Sequence, residues 1–281
     1  MLASFLALAA AASWGTGDFL GGLSTRTASI TVVLFVSQSA GTVFTLIVVL
    51  VAGHPLPGGT TLLYGVAAGL AGMVGLAALY TGLSVGRMGI VAPIASMSGA
   101  VPVLVGFLRG ERPAPIQIAG MVLAFIGVAF AARAEEQEAE EEGKRLATGV
   151  GYALVAAATL GFTLVFLDIA GDRDATWAVF SMRVGALAVL GIAVAIQRPS
   201  FRMPPRDSGR LVATGLFDNG ANLLFVLASA RGLLTLVSVL GSLYPVSTVV
   251  LARTVLHERM RRSQAFGVAA ALIGVALIAA G

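Results

Sequence analysis

Long, uninterrupted apolar runs constrain this chain more than any other feature. Ten of them come close to the length of about 20 apolar residues that a membrane-spanning helix needs. Because the runs are continuous and do not alternate with period two, they argue against an outer-membrane β-barrel. We therefore predict an all-α polytopic membrane protein with ten transmembrane helices, over Leu2–Leu23, Ile30–Ala52, Leu62–Val85, Gly89–Leu108, Ile116–Ala132, Leu146–Ala170, Thr176–Gln197, Arg210–Ala230, Leu233–Ala252 and Gln264–Ala280.

Composition excludes several function classes. Only 11% of the residues are charged, against about 25% in soluble domains. The chain has no cysteine, which excludes disulfides, cysteine-based zinc sites, iron–sulfur clusters and thiol catalysis. His54 and His257 are its only histidines and cannot build a three-histidine metal centre. We expect neither a metal nor a cofactor.

The chain divides into two similar halves. An acidic segment, residues 133–145, separates a first five-helix repeat (1–132) from a second (146–281), and we interpret it as a solvated linker. Several residues recur at a constant offset of 147, and the Glu, Arg and Gln residues among them are rare in this chain: Glu111, Arg112, Gln117, Gly120 and Gly127 match Glu258, Arg259, Gln264, Gly267 and Gly274. Five helices per repeat place the second copy upside down. This inverted repeat is typical of secondary transporters, whose substrate site lies near the midplane between the halves.

The end of each half carries a family resemblance. A Glu-Arg turn followed by a Gln-x-x-Gly…Ile-Gly-Val helix, together with Ser13-Trp14-Gly15 in helix one, resembles the EamA-type transporters of the drug/metabolite transporter superfamily. The resemblance covers essentially the whole chain and implies a small-metabolite carrier, often an exporter. The family pattern has a proline about a dozen residues before the turn glutamate. Pro245 fits it, whereas Ser98 stands there in the first half.

Three ionisable residues fall inside predicted spans: Asp18, Arg183 and Asp218. Such residues are costly in a bilayer and usually face a cavity or a partner. The two carboxylates could bind a substrate amine or carry a coupling proton, and Arg183 could bind a ligand carboxylate. The alternatives are that Asp18 lies near the interface or caps a neighbouring helix, and that Arg183 forms a structural ion pair with Asp218 or Asp18.

Amides and aromatic residues complete the candidate binding residues. Asn219 and Asn222 follow Asp218 in the most polar patch of any predicted span, and Asn222 shares the helix face of Asp218. Hydrogen bonding between helices is the alternative role for both. Gln38, Tyr80 and Trp14 are weaker candidates, and Trp14 could instead be a packing or interface residue.

Other charged residues have structural interpretations. Asp168, Asp172, Arg173 and Asp174 are predicted to lie in a solvated connection. Glu111 and Glu258 precede helices five and ten, where the helix dipole favours a carboxylate. We number each connection between predicted spans after the span that precedes it. Of the 18 Lys and Arg residues, 13 lie in odd-numbered connections and four in even-numbered ones. This bias predicts that the odd-numbered connections are cytoplasmic and that both termini are outside.

The function predicted from these features is secondary transport of a small polar metabolite such as an amino acid, with export as the expected direction. We expect alternating access between the halves, with proton coupling as an option and exchange or uniport left open. A channel or facilitator is the alternative, and an integral-membrane enzyme acting on lipids is a more remote one. The expected partners are the small-molecule substrate, a coupling proton and the lipid bilayer. No nucleic acid is expected, although the isoelectric point is near 10.1. The expected setting is the bacterial cytoplasmic membrane, with the protein a monomer or homodimer.

Overall fold

Helices account for nearly all of the described chain. The computed structural model describes residues 1–25, 27–85, 94–95, 97–131, 143–255 and 262–280. No strand occurs within these ranges. The α-helices are α1 (Leu2–Ser24), α2 (Ile30–Ala52), α3 (Gly59–Val85), α4 (Ala100–Leu108), α5 (Pro115–Ala131), α6 (Gly143–Gly171), α7 (Ala175–Gln197), α8 (Pro205–Ser229), α9 (Leu234–Gly241), α10 (Tyr244–Val255) and α11 (Arg262–Ala280).

Three sequence predictions fall partly or wholly outside the described residues. The predicted fourth span, Gly89–Leu108, does so at residues 89–93 and 96. The acidic linker lies outside the described residues as far as position 142, and its last three residues belong to the first turn of α6. Glu258 also lies outside the described residues.

Within the described residues, five helices are long and apolar enough to cross a membrane: Ile30–Ala52, Gly59–Leu79, Gly149–Gly171, Ala175–Gln197 and Arg206–Ser229. Shorter apolar helices cover 97–108, 115–130, 234–248 and 265–278. Their ends follow local sequence signals. Ser29 caps α2 by accepting a hydrogen bond from the Val32 amide, and Gly53 ends that helix in the left-handed conformation (φ 63°).

The fourth and ninth spans each contain a segment that departs from the α-helix, at nearly equivalent positions of the repeat. A 3₁₀ turn, Met97–Gly99, precedes α4, and the ninth span breaks at Ser242 and Leu243 between α9 and α10. Pro245 lies in the first turn of α10, where its missing N–H is tolerated. The two segments lie against each other, since a Cβ atom on Gly99 would be 2.0 Å from Ser242 Oγ.

The helices of one repeat pack against those of the other in the pattern expected when a twofold axis relates the two repeats. Under the 147-residue offset α1, α2, α3 and α5 correspond to α6, α7, α8 and α11. Extensive contacts join α3 to α6 and α1 to α8, which are equivalent pairs. The repeat relates α2 to α7 and α5 to α11, so the α2–α7 contact and the α5–α11 contact each join a helix to its own counterpart. The two halves therefore interlock.

The repeated glycine motif is explained by the α5–α11 contact. A Cβ on Gly127 would lie 2.7 Å from the Gly267 carbonyl oxygen, and one on Gly120 would lie 2.8 Å from that of Gly274. Each motif thus packs against its own copy in the other half. Small residues allow this close approach, which is a main source of helix association in membranes.

Candidate functional site

A cavity of about 410 Å³ lies between the two halves and brings six of the eight predicted site residues together. Helices α1, α2, α3, α6, α7 and α8 line it, with the break between α9 and α10. Most of the wall is apolar, and the polar groups converge on one part of it. The six residues are Trp14, Asp18, Gln38, Arg183, Asp218 and Asn222.

Arg183 forms the centre of the polar cluster. Its Nη1 lies 3.0 Å from Asp218 Oδ2 and also donates a hydrogen bond to Gln38 Oε1. Gln38 Nε2 donates to the same Asp218 oxygen at 3.3 Å, which closes a triangle of three helices, α2, α7 and α8. Arg183 is 2% exposed, whereas the Asp218 side chain is 29% exposed and faces the cavity. The ion pair suggested as an alternative role for Arg183 is therefore present, with Asp218 as its partner.

Asp18 enters the cavity from α1. Its position is set by Gly17, where a Cβ atom would lie 3.6 Å from the Asp218 backbone nitrogen and 3.5 Å from the Thr214 carbonyl oxygen. This close approach of α1 and α8 brings the two acidic residues to one cavity. Asp18 is exposed within it and forms no ion pair with any residue that the structure describes.

Trp14 and Asn222 occupy the deeper wall. The Trp14 ring packs against Phe225, with the ring centroids 5.8 Å apart. Asn222 Nδ2 donates a hydrogen bond to the Asp218 carbonyl oxygen at 2.7 Å, one turn earlier on α8. Both side chains also line the cavity, so each combines a packing role with access to a ligand.

The described lining of the cavity does not include two of the predicted site residues, Asn219 and Tyr80. Asn219 is fully buried where α8 meets α2, because its side chain lies against Gly41 and donates to the Gly215 carbonyl oxygen at 2.7 Å. Asn219 therefore packs between two helices, but its hydrogen bond lies within α8 and does not join helices, which was the alternative role predicted from the sequence. Tyr80 belongs to α3, but its side chain is outside the part that the structure describes.

Several lining residues were not singled out from the sequence. Tyr244 and Ser242 reach the cavity because the ninth span breaks there, and Ser98 reaches it from the matching turn. The available signal was Pro245, because a proline can bend a helix, but it does not indicate which neighbouring residues would then face the cavity. Ser37 and Thr163 also line the cavity, although nothing in their local sequence separates them from buried helix residues.

Polar contacts hold the even-numbered connections together. Arg109 Nη1 lies 2.6 Å from Asp168 Oδ2, and Asp168 is 6% exposed, so this residue is not in a solvated connection. Glu111 accepts hydrogen bonds from the Leu234 and Thr235 amides, both at 2.8 Å. It therefore caps α9, in the other half of the chain, although the sequence predicted a role at helix five. This face of the molecule is closed.

Asp174 also belongs to this closed face. It caps α7 through the Thr176 and Trp177 amides, and its Oδ2 lies 2.5 Å from His54 Nδ1. Burial alone would raise the pKa of Asp174. Hydrogen bonds from Thr176, Trp177 and His54 outweigh that effect and hold this pKa below its usual value.

The cavity opens toward the odd-numbered connections. Its lining runs from mid-membrane residues such as Arg183 to Gly22, Thr25 and Ile30, which are exposed at the end of α1 and the start of α2. Among the described residues, the lining therefore reaches the ends of α1 and α2 on one side, whereas the contacts around Asp168, Glu111 and Asp174 join the two halves on the other.

The fold and the cavity define a class: an integral membrane protein with two inverted repeats and a mid-membrane polar site, the architecture of secondary transporters. The family model of the EamA-like transporter family matches residues 1–133 and again residues 147–280. The chain therefore belongs to this family and is a multi-pass membrane transport protein, which confirms the predicted family and fold class.

The chain is also similar to a solved crystal structure, described only as that of a protein. The TM-score is 0.84 at 19% sequence identity, over 99% of this chain and 98% of that chain. At this identity the similarity shows the shared fold alone. A comparison with curated proteins found no match.

Proposed function

We propose that this protein is a secondary carrier that exports a small polar metabolite across the bacterial cytoplasmic membrane by alternating access between its two halves. The observation that carries the proposal is the cavity itself. It places Asp18, Arg183 and Asp218 between the repeats, open to one side while polar contacts close the other. A continuous pore would not need a closed face, so the geometry favours a carrier over a channel.

The contacts suggest how the two states exchange. Rocking of one repeat against the other would separate the α4–α6 contact at Arg109 and Asp168 and open the even-numbered side. The fourth span belongs to one repeat and the ninth to the other, and they meet where each departs from the α-helix. These segments provide points at which the helices can bend during the rocking motion. The same motion would close the entrance near Thr25 and Ile30.

Asp18 is the better candidate for a coupling proton. Asp218 is held by Arg183 and Gln38, whereas Asp18 faces the cavity without a described cationic partner. A carboxylate in this setting can exchange a proton with whichever side the cavity faces. We therefore place proton coupling, if the carrier uses it, on Asp18.

Counterflow in proteoliposomes tests the carrier. Vesicles loaded with single candidate metabolites would be assayed for uptake of the labelled compound against its own gradient. Saturable counterflow is expected of a carrier, and flux that rises linearly with concentration would show a channel. The Asp18→Asn variant is expected to lose the response of transport to a pH gradient, with Asp172→Asn on the exposed connection as the matched control. An unchanged response in Asp18→Asn would remove the proposed coupling role.

Orientation, and hence the side that loads the cavity, can be measured directly because the chain has no native cysteine. Thr25→Cys lies at the open side and Leu56→Cys lies in the connection between α2 and α3 on the closed side. An impermeant maleimide added to intact cells is expected to label Leu56→Cys and to leave Thr25→Cys unmodified. The reverse pattern would place the odd-numbered connections outside and contradict loading from the cytoplasm.

A further inference from the structure

The ionisable groups of the cavity are unbalanced in charge. Among the described residues that line it, only Asp18 and Asp218 are acidic and only Arg183 is basic. Two carboxylates against one guanidinium leave one negative charge in excess. A ligand that balances this charge is a cation.

Arg183, the one basic residue among the described lining residues, already has partners. Arg183 is 2% exposed, and its Nη1 is bound to Asp218 and Gln38. Its Nη2 lies against the Met182 sulfur at 3.9 Å, and its Nε has no hydrogen-bond partner in the described structure but is itself buried. A ligand carboxylate could reach this guanidinium only by breaking the pair with Asp218. That exchange would leave Asp218 facing the new carboxylate, and like charges at such distances repel.

Asp18 offers the complementary position. It is exposed in the cavity, and Trp14 lies four residues earlier on α1, so ring and carboxylate share one helix face. An ammonium group beside Asp18 would gain a charge-assisted hydrogen bond and lie within reach of the indole ring, which attracts cations.

The remaining wall suits an apolar body. Leu34, Met73, Leu76 and Leu160 line the cavity next to these polar groups. The volume of about 410 Å³ lies within the range of small-molecule sites and admits an aromatic ring with a short chain.

On the basis of the carrier function proposed above, we propose that the substrate is an organic cation, an amine with an apolar body and no carboxylate. Asp18 binds its ammonium group and Trp14 lies beside it. This excludes the zwitterionic amino acids predicted from the sequence, because the described residues of the cavity offer no free cation for their carboxylate.

Three probes of matched shape test this assignment: phenethylamine, phenylalanine and 3-phenylpropionate. Each has a benzene ring on a two-carbon chain, and they differ mainly in charge. Binding to purified protein would be measured by calorimetric titration. Phenethylamine is expected to bind at least tenfold more tightly than phenylalanine, a difference of about 1.4 kcal/mol. 3-Phenylpropionate is expected not to bind. Equal or tighter binding of phenylalanine would overturn the assignment.

Variants assign the binding to the residues named. Asp18→Asn keeps the shape of the side chain and is expected to weaken phenethylamine binding at least tenfold, while Asp18→Glu restores part of it. Trp14→Leu is expected to weaken it several-fold, and Asp172→Asn, on an exposed connection, is the control. A purified Asp18→Asn protein that melts like the parent but binds phenethylamine unchanged would refute the role of Asp18.

The same probes separate this inference from the carrier function. Binding of phenethylamine without counterflow would contradict transport and support the substrate class. Counterflow of a carboxylate-bearing metabolite, with no binding of the amine, would overturn the substrate class and support transport.

Discussion

The Arg183–Asp218 ion pair permits a quantitative prediction, because its two members differ in their access to water. Arg183 is 2% exposed and Asp218 is 29% exposed, with 3.0 Å between Nη1 and Oδ2. Removing one partner of a buried pair costs about 3–5 kcal/mol, since the other charge is left without compensation. That cost should be high where the remaining charge is buried and lower where the cavity can hydrate it.

We therefore expect Asp218→Asn to destabilise the protein more than Arg183→Met. In Asp218→Asn the buried guanidinium keeps only neutral acceptors, and the expected loss is about 3 kcal/mol. Methionine in place of Arg183 retains an unbranched apolar stem, and water in the cavity reaches the remaining carboxylate, so the expected loss is about 1–2 kcal/mol.

A double-mutant cycle isolates the pair from the effects of each substitution. The double variant lacks both charges and should cost about 2 kcal/mol, less than the single losses together, which corresponds to a coupling of about 2–3 kcal/mol. Free energies of unfolding would be measured by denaturant titration in mixed micelles. Additive losses would show that the pair contributes no coupling energy. A larger loss in Arg183→Met than in Asp218→Asn would refute the hydration argument.

Three further predictions concern the frame around the site. Asp174→Ala should cost about 1 kcal/mol by removing the N-cap of α7, as measured by thermal denaturation. The pKa of Asp174 in the folded protein lies below its ordinary value of about 3.9, so the stability that Asp174 provides is present above that pH and is lost as pH falls through the folded pKa. A melting temperature that the substitution leaves unchanged at neutral pH would contradict the capping role. Gly127→Leu should separate α5 from α11 and sharply reduce the yield of folded protein, since a Cβ there would be 2.7 Å from the Gly267 carbonyl oxygen, whereas Gly151→Ala has open space and should be tolerated. Glu111→Gln should lower stability by about 1 kcal/mol and weaken the closed face, seen as faster hydrogen exchange at the start of α9; unchanged exchange would argue against the cap.

The linear sequence was sufficient for the membrane class, the approximate spans and the duplication. The length of each apolar run matches the number of helical residues needed to cross a bilayer. The recurring motifs that end in Gly127 and Gly274 mark the repeat without any knowledge of packing. The rarity of charge within spans likewise singled out Asp18, Arg183 and Asp218, because their cost in the bilayer is a property of each residue.

Rotation and pairing of the helices required the tertiary structure. Asn219 and Asn222 lie on the same helix, yet only Asn222 lines the cavity, because the contact of Asn219 with Gly41 sets how α8 is turned against α2. Sequence left two carboxylates as partners for Arg183, and the structure pairs it with Asp218.

Contacts between the two halves were equally beyond the sequence. Glu111 caps α9, which begins more than 120 residues later in the chain. The spacing of residues around Glu111 carries no information about which distant helix it contacts. Residue type and spacing determined what this chain contains. The close approach of small residues determined which polar groups share a cavity, and therefore which ligand the cavity can hold.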